Sequence, residues 1–151
     1  MKTLQVSNGD LALDNGGRLQ FIQGTSKLVQ DLTLWFQEPL GTGFTSPNFG
    51  STLTGMIGQT INQSTLARVQ AEVQRILKLY QTQQIYSLKS AQNLAQLGNW
   101  NKSEIINSIN SVKAFQNYTS INVNVILTTL GGSQLALSIF IDTNGVQVQN
   151  G

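Results

Sequence analysis

A change of hydrophobic period partway along the chain constrains its fold more than any other feature. Leu66, Val69, Val73, Ile76, Leu77 and Tyr80 recur at three- and four-residue spacing with no Gly or Pro among them, the stripe of an amphipathic helix. From Val112 onward the period becomes two. Ile121, Val123, Val125 and Leu127, then Leu135, Leu137, Ile139 and Ile141, share one parity, as the strands of a half-buried antiparallel sheet do. Helical and strand patterns in separate stretches predict an α+β fold. A chain of 151 residues is the size of one domain. Residues 1–151 are therefore read as a single domain with an N-terminal β-hairpin, two main helices and a C-terminal antiparallel β-meander.

The element boundaries follow from local chemistry. Leu11, Leu13, Leu19 and Phe21 alternate with polar neighbours around Asp14-Asn15-Gly16-Gly17-Arg18. One shared face requires Leu13 opposite Leu19 and Leu11 opposite Phe21, with Asp14 beside Arg18 as an exposed ion pair. Thr25 or Ser26 is expected to cap a helix carrying Leu28, Leu32, Trp35 and Phe36, which stops near Glu38 before Pro39. The next stretch, to Ser51, holds three glycines, Pro47 and the aromatics Phe44 and Phe49, so both rings are expected to anchor the loop on the body. A short helical turn is expected over 53–57. Ser64 opens the long helix, and the absence of a breaker before Gly98 allows roughly 30 residues. Its second half, with Leu88, Ala91 and Leu94, has a thinner apolar stripe. Ser103 is expected to cap a turn over 104–109, and residues 112–118 to form the first strand of the meander. A three-residue loop at Leu130-Gly131-Gly132 sets Val125 opposite Leu137, since a one-residue slip would mismatch every face. A short last strand is expected over 145–148.

Composition enters through function. Charged residues make up 11% of the chain, whereas 18 Gln and 14 Asn supply most of its polar surface, against roughly 25% charged in an ordinary domain. With no Cys and no His, thiolate nucleophiles, the common zinc, haem and iron–sulfur ligand sets and Ser-His-Asp triads are excluded, and no cofactor is expected. The net charge of +2 is too small and scattered to track phosphates, so no nucleic-acid partner is expected. No apolar run reaches the ~20 residues of a membrane span, and the first ten residues lack the apolar segment of a secretory signal. No membrane association and no standard secretion are expected. The carboxylates Asp10, Asp14, Asp31, Glu38, Glu72, Glu104 and Asp142 show no spacing that proposes a catalytic pair. Asp14 reads as a turn residue and Glu104 as a helix N-terminal acid. The chain is read as a non-enzyme. Gly41-Thr42-Gly43 lacks the third glycine and the context of a dinucleotide loop.

Residues 17–53 carry a resemblance. Leu19 and Phe21 in a strand, Gly24, Leu28 and Gln30 at a helix start, then Pro39, Gly41, Pro47, Phe49, Gly50 and Leu53 resemble the small baseplate wedge protein of contractile phage tails. The same family includes the wedge subunit of type VI secretion baseplates. Its element order is similar along nearly the whole chain, while the specific motif stays within 17–53. The family's Glu-Pro-Arg near the end of the long helix has no counterpart, since the comparable stretch reads Tyr80-Gln81-Thr82-Gln83. The resemblance implies a structural protein made in the host cytoplasm and built into the virion, six copies around the tail axis. It implies the tail sheath protein, other wedge proteins and hub or tube proteins as partners, and the start of sheath polymerisation as the role. The family name has at times included "lysozyme", so a peptidoglycan hydrolase is one alternative; an adaptor for a single soluble partner is another. An extended arm adding a strand to the meander's edge is the expected mode of contact. Two further surfaces are candidate partner sites. One is the amide-rich stretch Gln81 to Gln84, with Gln81 and Gln83 foremost; the other is Phe115, Ile126 and Phe140, which parity sends to the face away from the helices.

Overall fold

The computed structural model describes residues 1–91 and 100–151. The fold is α+β, with an N-terminal hairpin, two helices and a four-stranded antiparallel sheet. Within the first 22 residues, β1 (Thr3–Leu4) pairs with β4 (Phe21–Ile22), and β2 (Val6–Ser7) pairs with β3 (Asp10–Leu11). Asn8 and Gly9, with φ of 52° and 81°, form the tight turn between β2 and β3, a conformation that favours this residue pair. Leu13 lies opposite Leu19 as the pattern requires. Leu11, however, pairs with Val6, and Phe21 with Leu4. The preceding residues compete for these partners, and the arms meet in a closed ring of backbone bonds. Gln5 N–H donates to the Gln20 carbonyl (2.9 Å), Gln20 N–H to Ala12 (2.9 Å), and Ala12 N–H to Gln5 (2.8 Å). Leu11, Leu13, Leu19 and Phe21 consequently stay exposed. The expected Asp14–Arg18 ion pair is replaced by a turn, in which Asp14 Oδ1 accepts the Gly16 and Arg18 N–H groups at 2.8 and 2.9 Å.

The first helix, α1 (Thr25–Gln37), buries Leu28, Leu32, Trp35 and Phe36. Its cap is Gly24, at φ 68°, rather than Thr25 or Ser26, and no side chain of its own caps it. A carboxylate from far along the chain does so instead. Glu104, 1% exposed, accepts the Gly24 N–H at 2.7 Å, placing negative charge at the positive end of the helix. The N-terminal ammonium of Met1 reaches the same carboxylate at 3.0 Å.

After Pro39 the chain makes an excursion and returns beside itself, with Ser51 N–H donating to the Glu38 carbonyl (2.7 Å) and Ser51 Oγ to Phe36 (2.7 Å). Phe49 anchors this loop, its ring edge-on to Trp35 at 4.5 Å. Phe44 does not, because it sits at the loop tip beyond the paired base and is fully exposed.

Glu72 and Arg75 clamp the loop's return. Glu72 Oε1 accepts the Thr52 N–H (2.8 Å), Arg75 donates to the Gly50 carbonyl (3.1 Å), and the two side chains pair at 2.8 Å. The hydrogen bond from Arg75 holds the Glu72 carboxyl below its ordinary value against the opposing effect of burial. A folded value below the unfolded one adds stability at neutral pH that is lost as the pH falls through the folded value. Glu72→Gln should therefore flatten the decline in melting temperature between about pH 5 and pH 3. The difference is about 1 kcal/mol at most, since Arg75 is 39% exposed and water screens the pair. Parallel pH profiles of the two proteins would refute the clamp.

A 3₁₀ turn, Leu53–Met56, leads to α2 (Gln63–Ser90), 28 residues long. It begins before Ser64 because Asn62 is the cap, its Oδ1 accepting the Thr65 N–H at 2.9 Å. Val69, Val73, Ile76 and Leu77 are fully buried, and Leu66 packs at the margin. The helix stops at Ser90, where Ala91 turns extended, so the expected run does not pass through Ala91; the remainder to Gly98, including Leu94, falls on residues 92–99, outside the described residues.

A second 3₁₀ turn, Lys102–Glu104, is capped by Asn101 in place of Ser103. The sheet then follows as β5 (Ile106–Asn117), β6 (Ser120–Thr129), β7 (Gln134–Asp142) and β8 (Gly145–Asn150), paired in that order. Val125 opposes Leu137, with the three-residue loop where it was expected. β5 begins six residues before Val112 because register breaks at 106/108 and 109/111 interrupt its alternation, as β-bulges do. Both helices lie on one face, α2 chiefly against β5 and α1 against β8.

Candidate interaction site

The sheet order leaves β5 and β8 as edges, and the molecule treats them differently. Along β5, glutamines of α2 occupy the place of a further strand. Gln84, itself buried, accepts the Ile106 N–H (2.9 Å) and donates to the Glu104 carbonyl (2.6 Å). Gln81 donates to the Ile106 and Asn107 carbonyls (3.2 and 2.9 Å), and Gln70 accepts the Ala114 N–H at 3.4 Å. A primary amide carries an acceptor oxygen and N–H donors, as a peptide group does, so these side chains occupy the start of the edge and its Ala114 position without lengthening the sheet. The Gln81 amide is thus engaged within the chain. Gln83 is exposed, beside a hollow of about 380 Å³ that Trp35, Phe49 and Leu79 also line.

Along β8 the edge is open. Gln37 of α1 donates to the Val146 carbonyl at 3.0 Å. In an antiparallel strand, outward-facing backbone groups recur every second residue, so the N–H and carbonyl of Val148 face the same way. Neither has a partner there among the described residues. They look into a groove of about 530 Å³. Its floor is α1, through Val29, Thr33 and Leu34; Gln147, Val148 and Gln149 form one wall, and Gln5, Val6 and Asn8 the other. Gln30 fixes that second wall, donating to the Leu4 carbonyl (2.9 Å) and accepting the Val6 N–H (2.8 Å). One amide side chain thus stands in for a whole peptide unit.

On the sheet face away from the helices, the cross-strand register sets Phe115 and Phe140 on either side of Asn122 in one row. Asn122 is 8% exposed and its Oδ1 has no partner among the described residues. Ile126 lies in another row, between Ser111 and Ala136, four residues or about 13 Å along β6. The structure therefore brings Phe115 and Phe140 together and holds Ile126 apart.

The motif residues are structural in placement. Gly24 caps α1, Gln30 ties down the N-terminal arm, and Phe49 packs on Trp35. Pro39 bridges to Ser51, Gly41 takes φ 84° in the turn after it, and Gly50 takes φ 101° at the loop's return. Pro47 lines the hollow beside Gln83.

All seven side-chain carboxylates have partners within the chain. Asp10 accepts the Leu11 N–H, Asp142 the Asn144 N–H, and Glu38 the Thr42 hydroxyl; Asp14, Glu72 and Glu104 are engaged as described above. Asp31 pairs with Lys27 and accepts the Tyr80 hydroxyl at 2.8 Å. Burial first, and the Asp31 charge second, push the Tyr80 phenol far above its ordinary value, so it serves as a donor. Among the described residues no cluster of acids could hold a metal ion, and no helix is long and apolar enough to cross a membrane.

Pattern reading missed Gln37, Gln70 and Val148. Gln70, Gln74, Gln81 and Gln84 recur at spacings of four, seven and three, one helical face beside the apolar stripe. That row was the available signal. No known family model, curated protein or solved structure matches the chain.

Proposed function

We propose that this chain is a structural subunit of a contractile-tail baseplate, where it receives an extended arm of the first sheath ring along β8 and so starts sheath polymerisation. The observation that carries the reading is the asymmetry of the sheet. Glutamines of α2 cover one edge at Ile106–Asn107 and again at Ala114; the other faces an open groove with its backbone groups at Val148 unspent. Edge strands left unprotected invite pairing with another chain, and strand addition draws its affinity from such main-chain groups. The resemblance over residues 17–53 supplies the assembly: six copies around the tail axis, with wedge proteins and hub or tube proteins as neighbours, in the virion. The engagement of every side-chain carboxylate within the chain favours this structural role over hydrolysis of peptidoglycan.

Val148→Pro tests the reading. Proline removes an N–H that no β7 group uses, and edge strands tolerate it there. The purified variant should melt within a few degrees of wild type, while particles assembled with it should lack sheath. Gln149→Lys, which adds an edge charge, should act the same way without touching the backbone. Normally sheathed particles with both variants would overturn the proposal.

A further inference from the structure

The chemistry of the groove narrows what kind of segment it accepts. Along β8, α1 and the N-terminal arm, no acidic or basic side chain lines it. The polar lining consists of amides and hydroxyls, such as Gln5, Ser26, Thr33 and Gln147, and the apolar lining of Val29, Leu34, Val148 and their neighbours. A charge laid into this space would lose water and find no counterion, which is costly. An uncharged strand loses far less. Because Val146 and Val148 turn towards the helices while Gln147 and Gln149 turn away, an added strand inherits the same two-residue alternation. Every second side chain then meets Val29 and Leu34 on the floor.

Gln37 adds a mechanistic detail. Its amide occupies the Val146 carbonyl, where an incoming strand would place a peptide N–H. The side chain is exposed, so it is free to swing out and yield that position. It is a placeholder for the missing strand.

We infer that the β8 groove selects an uncharged extended segment with apolar residues at alternate positions, and that an N–H of this segment displaces Gln37 from Val146. The inference rests on the function proposed above, in that it names the chemistry of the arm received there. Since no ionic contact contributes, the binding is insensitive to salt. Segments carrying Lys or Glu at the inward positions are rejected by the unpaired charge.

The test uses the full chain, isotope-labelled, and three capped eight-residue peptides. One alternates Val with Asn, Gln, Ser or Thr; the other two carry Lys or Glu in place of the two central valines. The valine peptide should shift the backbone amide signals of β8 and the side-chain amide of Gln37. It should bind at least about tenfold more tightly than either charged peptide, with less than about a twofold change between 0.05 and 0.5 M NaCl. Gln37→Ala should tighten it a few-fold by removing the competitor. Equal binding of a charged peptide, shifts confined to β5, or no shift at millimolar valine peptide would each overturn the inference. So would a Gln37→Ala variant that binds about tenfold more weakly. Selective binding at β8 alongside normal sheathing of the Val148→Pro particles would defeat the proposed function and leave this inference standing. Loss of sheath in those particles with no selectivity among the peptides would do the reverse.

Discussion

Val73→Asp abolishes cooperative folding. Val73 is 0% exposed, on the α2 face that also carries Val69, Ile76 and Leu77 into the core. An ionised carboxylate there has no partner, and protonating it at neutral pH costs about 4 kcal/mol, from roughly three pKa units at 1.36 kcal/mol each. The lost burial of valine adds about 1.5 kcal/mol or more. The sum of about 5.5 kcal/mol reaches the lower end of the ~5–15 kcal/mol by which ordinary domains are stable, before any repacking cost around the new side chain is added. Val73→Ala, which deletes two methyl groups without adding charge, should still fold and lose roughly 1–2.5 kcal/mol. Circular dichroism and denaturant titration separate the two outcomes. An Asp variant that melts near the wild-type temperature would put Val73 on the solvent side of α2.

Gly50→Val has the next largest effect. A side chain at φ 101° is strained, by about 1–2 kcal/mol. The added Cβ would also lie 2.5 Å from the Glu38 carbonyl oxygen and 2.9 Å from that of Pro39. Both are backbone atoms in the bridge that closes the loop, so relief requires the loop's return to move away from α1. Overpacking of this kind costs about 1–3 kcal/mol more. A total of about 2–5 kcal/mol corresponds to a fall in melting temperature of roughly 4–20 °C for a chain of this size. Gly41→Ala is the comparison, since Gly41 has φ 84° but nothing within 4 Å of a Cβ. It should show the backbone strain alone, about 1 kcal/mol. Equal losses in the two variants would show that the carbonyl contact contributes nothing.

What could be read from residue order depended on unbroken periodicity. The core face of α2, the stripe of α1 and the pairing of Val125 with Leu137 each rest on a regular repeat, and each is found. The first half of β5 was illegible because two register breaks scramble its alternation between Ile106 and Ser111. The cap of α1 was illegible for a different reason. Thr25 and Ser26 have the right chemistry beside the helix start, but the carboxylate that reaches Gly24 comes from Glu104, 80 residues away, and no local pattern encodes such a contact. The loop aromatics divide likewise. Phe49 and Phe44 look equivalent in sequence, yet only Phe49 falls near the paired base, within reach of Trp35. The groove beside β8 was not legible as a place. That the meander has two edges follows from its strand pattern, whereas which edge keeps its backbone groups unpaired depends on which glutamines happen to face them.

The layering of α1 under β8 has a consequence for how the molecule is made. The first helix receives its cap from Glu104 and its last-turn tie from Val146, which lies 109 residues after Gln37. At 5–20 residues per second, a ribosome needs roughly 5–20 s to span that separation. For that interval the apolar stripe of α1 has emerged without the sheet that will cover it. The nascent chain is thus held in an incomplete state by topology until β8 has emerged. Chaperone occupancy during translation should fall on this window, and the open edge at β8, on the last of the described strands to leave the ribosome, comes into being only once α1 can be covered.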